Sequence, residues 1–124
     1  KYQYGAKQHA LCTGGIDTMT RISFDTYYDT YLFECTGHTE YASAGQDILC
    51  SAVSILCYTL RALLRDAYEE GKINQYREDF SAGYARIDFE LLDDNTPILD
   101  STMAILRGFQ LLEEAFPDFI EANV

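Results

Sequence analysis

A histidine and a cysteine lie twelve residues apart, where a nucleophile and its base could work together. His38 follows a segment of strand-type composition, and Cys50 lies near the start of the most strongly periodic helical segment. A thiol at a helix start meets the positive end of the helix dipole, which favours the thiolate. An imidazole within reach would accept the thiol proton and then stabilise the thiolate. The residue types and their placement therefore suit a Cys-His nucleophile pair.

Two other interpretations of these residues stay open on residue types alone. Cysteine is among the most buried residue types, so Cys50 can equally be a small packing residue. Alternatively, Cys35, His38, Cys50 and Cys57 could supply four zinc ligands. Helical geometry argues against zinc, because Cys50 and Cys57 would stand roughly 10 Å apart along one helix axis. We therefore expect no zinc site here, and we expect Cys35 and Cys57 to be packing residues.

Three further residues are candidates for supporting roles. Ser54 follows Cys50 by four residues and shares its helix face, which would place a hydroxyl beside the thiol. The simpler interpretation of Ser54 is a hydroxyl bonded to its own helix backbone. Asp47 suits the helix start as a cap or first-turn carboxylate, and it could also orient His38. Gly37 precedes His38 and begins a loop, 37–45, that would join base to nucleophile.

Four segments have strand composition and form two hairpins. Residues 21–25 and 30–36 are rich in β-branched and aromatic residues, and residues 75–80 and 84–92 flank a Ser-Ala-Gly turn at 81–83. We expect the tyrosines of the first hairpin to build a sheet face. These include Tyr27, Tyr28 and Tyr31.

Two segments have helical periodicity. Apolar residues recur at helical spacing from Asp47 to about Tyr68, and again from Thr96-Pro97 to Pro117. Residues 119–124 could return as an edge strand. The order ββαββα(β) predicts an α+β fold, in which two long helices cover one face of a largely antiparallel sheet.

Composition limits the class of protein. The formal net charge is −11 in 124 residues, and the few cations are scattered, which weighs against a nucleic-acid partner and favours a basic protein partner. Apolar runs are short, so we expect no membrane span. Without a signal-peptide pattern, the four cysteines are expected to be reduced thiols of a cytoplasmic protein.

Residues 1–18 show no helical or strand period. We interpret them as a leader, an upstream misread or a cloning remnant, and residues 19–124 as one domain.

Residues 37–54, GHTEYASAGQDILCSAVS, resemble the signature of the ribosomal-processing cysteine protease family, Prp. Thr39 and Ser51 stand where that family usually has alanine, and the helix ending at Phe116-Pro117 resembles its closing helix. The matching positions are Gly37, His38, Tyr41, Ala42, Gly45, Asp47, Cys50 and Ser54.

This resemblance implies a function and a set of roles. Members are bacterial cytoplasmic endopeptidases that remove a short N-terminal extension from large-subunit ribosomal protein twenty-seven, and they are homodimers without a cofactor. His38 would be the general base and Cys50 the nucleophile, with Gly37, Asp47 and Ser54 in support. From the small residues of the loop itself, rather than from the resemblance, we expect a substrate-contacting loop that contains Gly45 and in which Tyr41 contacts the extension. A non-catalytic module that binds basic ribosomal protein tails is the alternative.

Overall fold

Two helices pack on one face of a five-stranded sheet in the computed structural model, which describes residues 19–37 and 48–124 and the backbone of 44–47. The observed order ββαββαβ confirms the predicted α+β class. The elements are β1 (Thr20–Tyr27), β2 (Thr30–Thr36), α1 (Ala44–Glu69), β3 (Ile73–Ser81), β4 (Tyr84–Leu91), α2 (Thr96–Ala115) and β5 (Ile120–Asn123).

The strands are ordered β3-β4-β2-β1-β5 across the sheet. All neighbouring pairs are antiparallel except β1 and β5, which run parallel. The expected final edge strand is therefore confirmed as β5, and it reaches β1 after α2 has crossed the sheet. β3 begins at Ile73, two residues before the predicted start, and its pairing with β4 shifts register between Asn74 and Arg77.

Alternation along the strands separates an inner face from an outer one. Phe33 of β2 is buried on the inner face and packs against Phe109 of α2, with 5.8 Å between ring centroids. Tyr31 stacks on Phe89 at 5.4 Å, so both aromatics of β2 build the sheet face as expected. Burying such side chains is the main favourable term in folding, at about 1.5–3 kcal/mol each. This core fixes α1 and α2 against the sheet.

The two tyrosines of the first turn depart from that expectation. Tyr27 is 59% exposed and Tyr28 is completely exposed, so neither packs into the sheet. Tyr27 lies on the outer face at the end of β1 and Tyr28 lies in the turn of the hairpin, so neither belongs to the inner face that the helices cover.

Helix α1 is long and apolar enough, from Ile48 to Glu69, to cross a membrane by length and composition alone. Its apolar residues Val53, Leu60 and Leu64 are buried against the sheet. A core helix of a globular domain passes the same test, and the burial of α1 here gives it that role.

Polar side chains occupy the outer face around β4. Asp88 is 4% exposed and accepts hydrogen bonds from Arg77 at 2.9 and 3.2 Å, while Arg86 Nε lies 3.9 Å from its other oxygen. Paired charges of this kind satisfy the buried carboxylate. The cavity beside them, about 190 Å³, is bordered by both signs of charge.

Candidate active site

Gly37 lies at the exit of β2 under three constraints. Its φ angle is +92°, a region in which side-chain-bearing residues are strained. A Cβ at this position would collide with the backbone carbonyl oxygen of Met19. Its N–H donates a hydrogen bond to the carbonyl oxygen of Gly83, at 3.1 Å. Only glycine fits here, so the backbone at the exit of β2 is fixed at Gly37.

The contact with Gly83 was not anticipated from the sequence. Residues 81–83 indicated only a hairpin turn, and nothing local showed that this turn would bond to the end of β2. The pairing of Thr36 with Tyr84 brings the two ends together. The β3–β4 turn is therefore part of the framework next to the candidate site.

Helix α1 begins earlier than predicted, at Ala44 instead of near Asp47. Ala44 is a strong helix former, and Gly45 is tolerated in the first turn. Asp47 is therefore the fourth residue of the helix and not its cap, and its side chain lies outside what the structure describes. Gly45 also belongs to the helix, so the expected loop 37–45 ends before Ala44.

The same shift moves Cys50 out of the first turn. Cys50 is the seventh residue of α1, about 9 Å along the axis from its start. The stabilisation from a helix dipole falls off within the first turn. The expectation that Cys50 lies at the helix start, where the dipole favours its thiolate, was therefore wrong, and a neighbouring group has to supply that stabilisation.

Cys50 and Ser54 both face the interior. Cys50 is 2% exposed and Ser54 is fully buried, one helical turn further along. Their common face is the one predicted from the four-residue spacing.

Cys50 is disulfide-bonded in this structure, whereas Cys35 and Cys57 are free thiols. The expectation of reduced cysteines is therefore wrong for Cys50 and holds for Cys35 and Cys57. A sulfur in a disulfide cannot act as a nucleophile, since the thiolate is the reactive form. Any thiol chemistry at Cys50 requires reduction first.

Cys35 and Cys57 form a buried thiol pair between β2 and α1. Cys35 is 3% exposed and Cys57 is fully buried, as expected for packing residues. A hydrogen bond with Cys35, together with burial, raises the pKa of Cys57 well above its ordinary value. Cys57 therefore stays protonated near neutral pH and is a poor nucleophile.

Several predicted residues fall outside what the structure describes. His38 and Tyr41 belong to residues 38–43, and of Gly45 and Asp47 only the backbone is described. Within the described ranges, no three His, Cys, Asp or Glu side chains are grouped closely enough to hold a metal ion. The zinc alternative also required His38, which is not among those ranges.

Comparison with known proteins supplies the family. The sequence model of the family described as cysteine protease Prp matches residues 19–121. The crystal structure of SMU.848 from Streptococcus mutans superposes with a TM-score of 0.58 and 23% sequence identity, over 85% of this chain and 92% of that one, which shows a shared fold. None of the curated proteins compared with the chain matches it. Since the family match spans most of the chain, this protein belongs to the cysteine protease Prp family.

Proposed function

We propose that this protein is a cysteine endopeptidase that removes the short N-terminal extension of bacterial large-subunit ribosomal protein twenty-seven. The observation that carries the proposal is the family match over residues 19–121, which includes the His38 and Cys50 positions of the motif. The structure adds one supporting observation, which is that Gly37, the glycine of the Gly-His motif, occupies a position where only glycine fits.

In this mechanism, reduced Cys50 gives up its proton to His38 and attacks the scissile carbonyl carbon. A thioester forms as the C–N bond breaks, and His38 protonates the leaving amine. A water molecule, deprotonated by His38, then hydrolyses the thioester and regenerates the thiol. Backbone N–H groups near the start of α1 are our candidates for the oxyanion donors.

Two residues would support this pair. The Ser54 hydroxyl lies one turn from Cys50 on the same buried face and could hold the thiolate by a hydrogen bond. Asp47, in the first turn of α1, would orient the imidazole of His38 and stabilise its charged form. Tyr41 would contact the apolar part of the extension.

The charge of the protein suits a basic substrate. A net charge of −11 attracts a basic ribosomal protein and should do so less strongly as salt rises. The resemblance to the family further leads us to propose a homodimer that works in the cytoplasm without a cofactor.

Cleavage of a peptide that spans the processing region tests the proposal directly. The reduced protein should cut the peptide at one bond, detected by mass spectrometry, and Cys50→Ala should leave it intact. A Cys57→Ala variant is the matched control, since it removes an equally buried thiol from the same helix. An uncut peptide with reduced wild-type protein would contradict the proposal.

A second candidate function is favoured by one observation. Cys50 is disulfide-bonded and almost fully buried, as a structural cysteine would be. The protein would then be a non-catalytic module that binds basic ribosomal protein tails. In that case wild type and Cys50→Ala would bind the tail equally and neither would cut it.

A further inference from the structure

The tip of the β1–β2 hairpin displays two tyrosines that the fold does not use. Tyr28 is fully exposed and Tyr27 is 59% exposed. Large aromatic side chains contribute most of the contact energy when a partner covers them, and tyrosine is enriched among such residues. Leu111 on α2 is 52% exposed and Ile48 on α1 is 67% exposed, so Tyr28 is the most exposed large apolar side chain among the described residues.

The backbone conformation of the hairpin turn is unfavourable for Tyr28. Tyr27 pairs with Thr30, so the turn has two residues, and the first of them, Tyr28, has a φ of +55°. Two-residue hairpin turns prefer glycine, asparagine or aspartate where φ is positive, because a bulky side chain is strained there. Folding alone would select glycine at position 28.

Three carboxylates surround the tyrosines. Asp25 and Tyr27 lie on the outer face of β1, and Glu90 lies on the same face through the Thr30–Glu90 pairing, while Asp29 completes the turn. Glu90 accepts a 3.5 Å hydrogen bond from Thr30. Among the described residues, no Lys or Arg nitrogen comes within 4 Å of these three carboxylates.

We propose that this tyrosine tip, formed by Tyr27 and Tyr28 with Asp25, Asp29 and Glu90, docks a basic polypeptide segment of the substrate protein. Unneutralised carboxylates select lysine and arginine, and the tyrosine rings add apolar contact and cation–π attraction. The commitment to a protein substrate rests on the proposed function; the docking chemistry rests on the tip alone.

The tip is remote from the candidate site. β2 begins beside the tip at Thr30 and ends at Thr36, just before Gly37, so its seven residues separate the two by about 20 Å. A short peptide at the site would not reach the tip, whereas a folded basic protein would. Docking at the tip should therefore lower KM for a protein substrate and leave kcat, and peptide cleavage, unchanged.

Tyr28→Gly isolates the role of the ring from the stability of the fold. Glycine accepts the positive φ without strain, so this variant should melt at the same temperature or higher. Leu111→Ser, which removes an exposed apolar side chain elsewhere, is the matched control. A second variant, Asp25→Asn with Glu90→Gln, removes charge and keeps shape.

The experiment measures the affinity of each variant, in a Cys50→Ala background, for purified ribosomal protein twenty-seven that carries its extension. We expect Tyr28→Gly to weaken binding by about tenfold and the charge variant to flatten its salt dependence, with Leu111→Ser unchanged. Unchanged affinity in Tyr28→Gly, or no binding of the protein at all, would overturn the docking proposal.

Cleavage by the same variants with Cys50 intact separates the two proposals. KM should rise for the protein and stay constant for a short peptide. If the protein binds through the tip but neither substrate is cut, the docking site stands and the protease proposal fails. If both substrates are cut equally well by Tyr28→Gly, the protease proposal stands and the docking site fails.

Discussion

The backbone N–H of Gly37 donates a 3.1 Å hydrogen bond to the carbonyl oxygen of Gly83, and this bond ties the end of β2 to the β3–β4 turn. On its other side, Gly37 lies against the carbonyl of Met19, which leaves no room for a side chain. These two contacts fix the backbone at Gly37, the last described residue before His38.

Gly37→Ala should destabilise the protein much more than Gly71→Ala. Both glycines have positive φ, +92° and +75°, so alanine at either position is strained by about 1–2 kcal/mol. Only Gly37 adds a backbone collision, since nothing lies within 4 Å of a Cβ at Gly71. Urea unfolding measures the free energy of unfolding of both variants. Equal losses of stability would show that the Met19 carbonyl moves aside easily. Peptide cleavage should also fall in Gly37→Ala alone.

Cys35→Ala and Cys57→Ala should each keep peptide cleavage while lowering the free energy of unfolding. Both thiols are buried, and replacing either leaves a small cavity and an unmatched hydrogen-bond partner. Unfolding in urea measures the loss of stability, and the peptide-cleavage assay measures turnover. Loss of turnover in a variant that remains folded would place the Cys35–Cys57 pair in the chemistry.

Stability in acid should depend on Glu78. Burial raises its pKa, but hydrogen bonds from Arg65 and Tyr76 outweigh burial and hold the pKa below its ordinary value of 4.5. Arg65 makes two of these bonds, each 2.7 Å. Because the pKa is lower in the folded state, this stabilisation is present above pH 4.5 and is lost as pH falls through the folded pKa.

Glu78→Gln should therefore flatten the fall in melting temperature below pH 4.5. Glu114→Gln is the control, since the Glu114 side chain is 65% exposed and its nearest cation, Arg107, is 3.5 Å away. An unchanged acid profile in Glu78→Gln would show that the network around Glu78 contributes no net stability.

Deletion of residues 1–18 should leave both melting temperature and turnover unchanged when Cys50 is reduced. The segment has no periodic pattern, and the family match begins at residue 19. The melting temperature and the cleavage rate of the full chain and of the deletion variant are measured in the same reductant. A large fall in melting temperature would show that these residues contribute a structural element.

Local sequence signals were sufficient for most of the fold. Strand composition and helical spacing gave the order of elements, and Thr96-Pro97 marked the start of α2 correctly. The start of α1 was missed because glycines bracket residues 37–45, which is typical of a loop, whereas the helix begins within that segment at Ala44. Nothing in residues 119–124 indicated that β5 would pair parallel to β1, since that partner lies about a hundred residues earlier.

Less of the candidate site than of the fold could be predicted from the sequence. The spacing of Cys50 and Ser54 placed both on one buried face. The contacts of Gly37 with Met19 and Gly83 depend on how three strands meet, which no local pattern records. The disulfide at Cys50 was likewise not indicated by its spacing.

The alkylation rate of Cys50 as a function of pH, in reduced wild-type protein and in His38→Ala, tests the central claim most directly. If His38 activates Cys50, the folded wild type should label at Cys50 near neutral pH. In His38→Ala the profile should shift upward toward the ordinary thiol pKa of about 8.5. Mass spectrometry of the labelled peptides assigns the site and separates Cys50 from Cys35 and Cys57. Identical profiles in the two proteins, or labelling of Cys50 only on unfolding, would contradict a Cys50–His38 nucleophile pair.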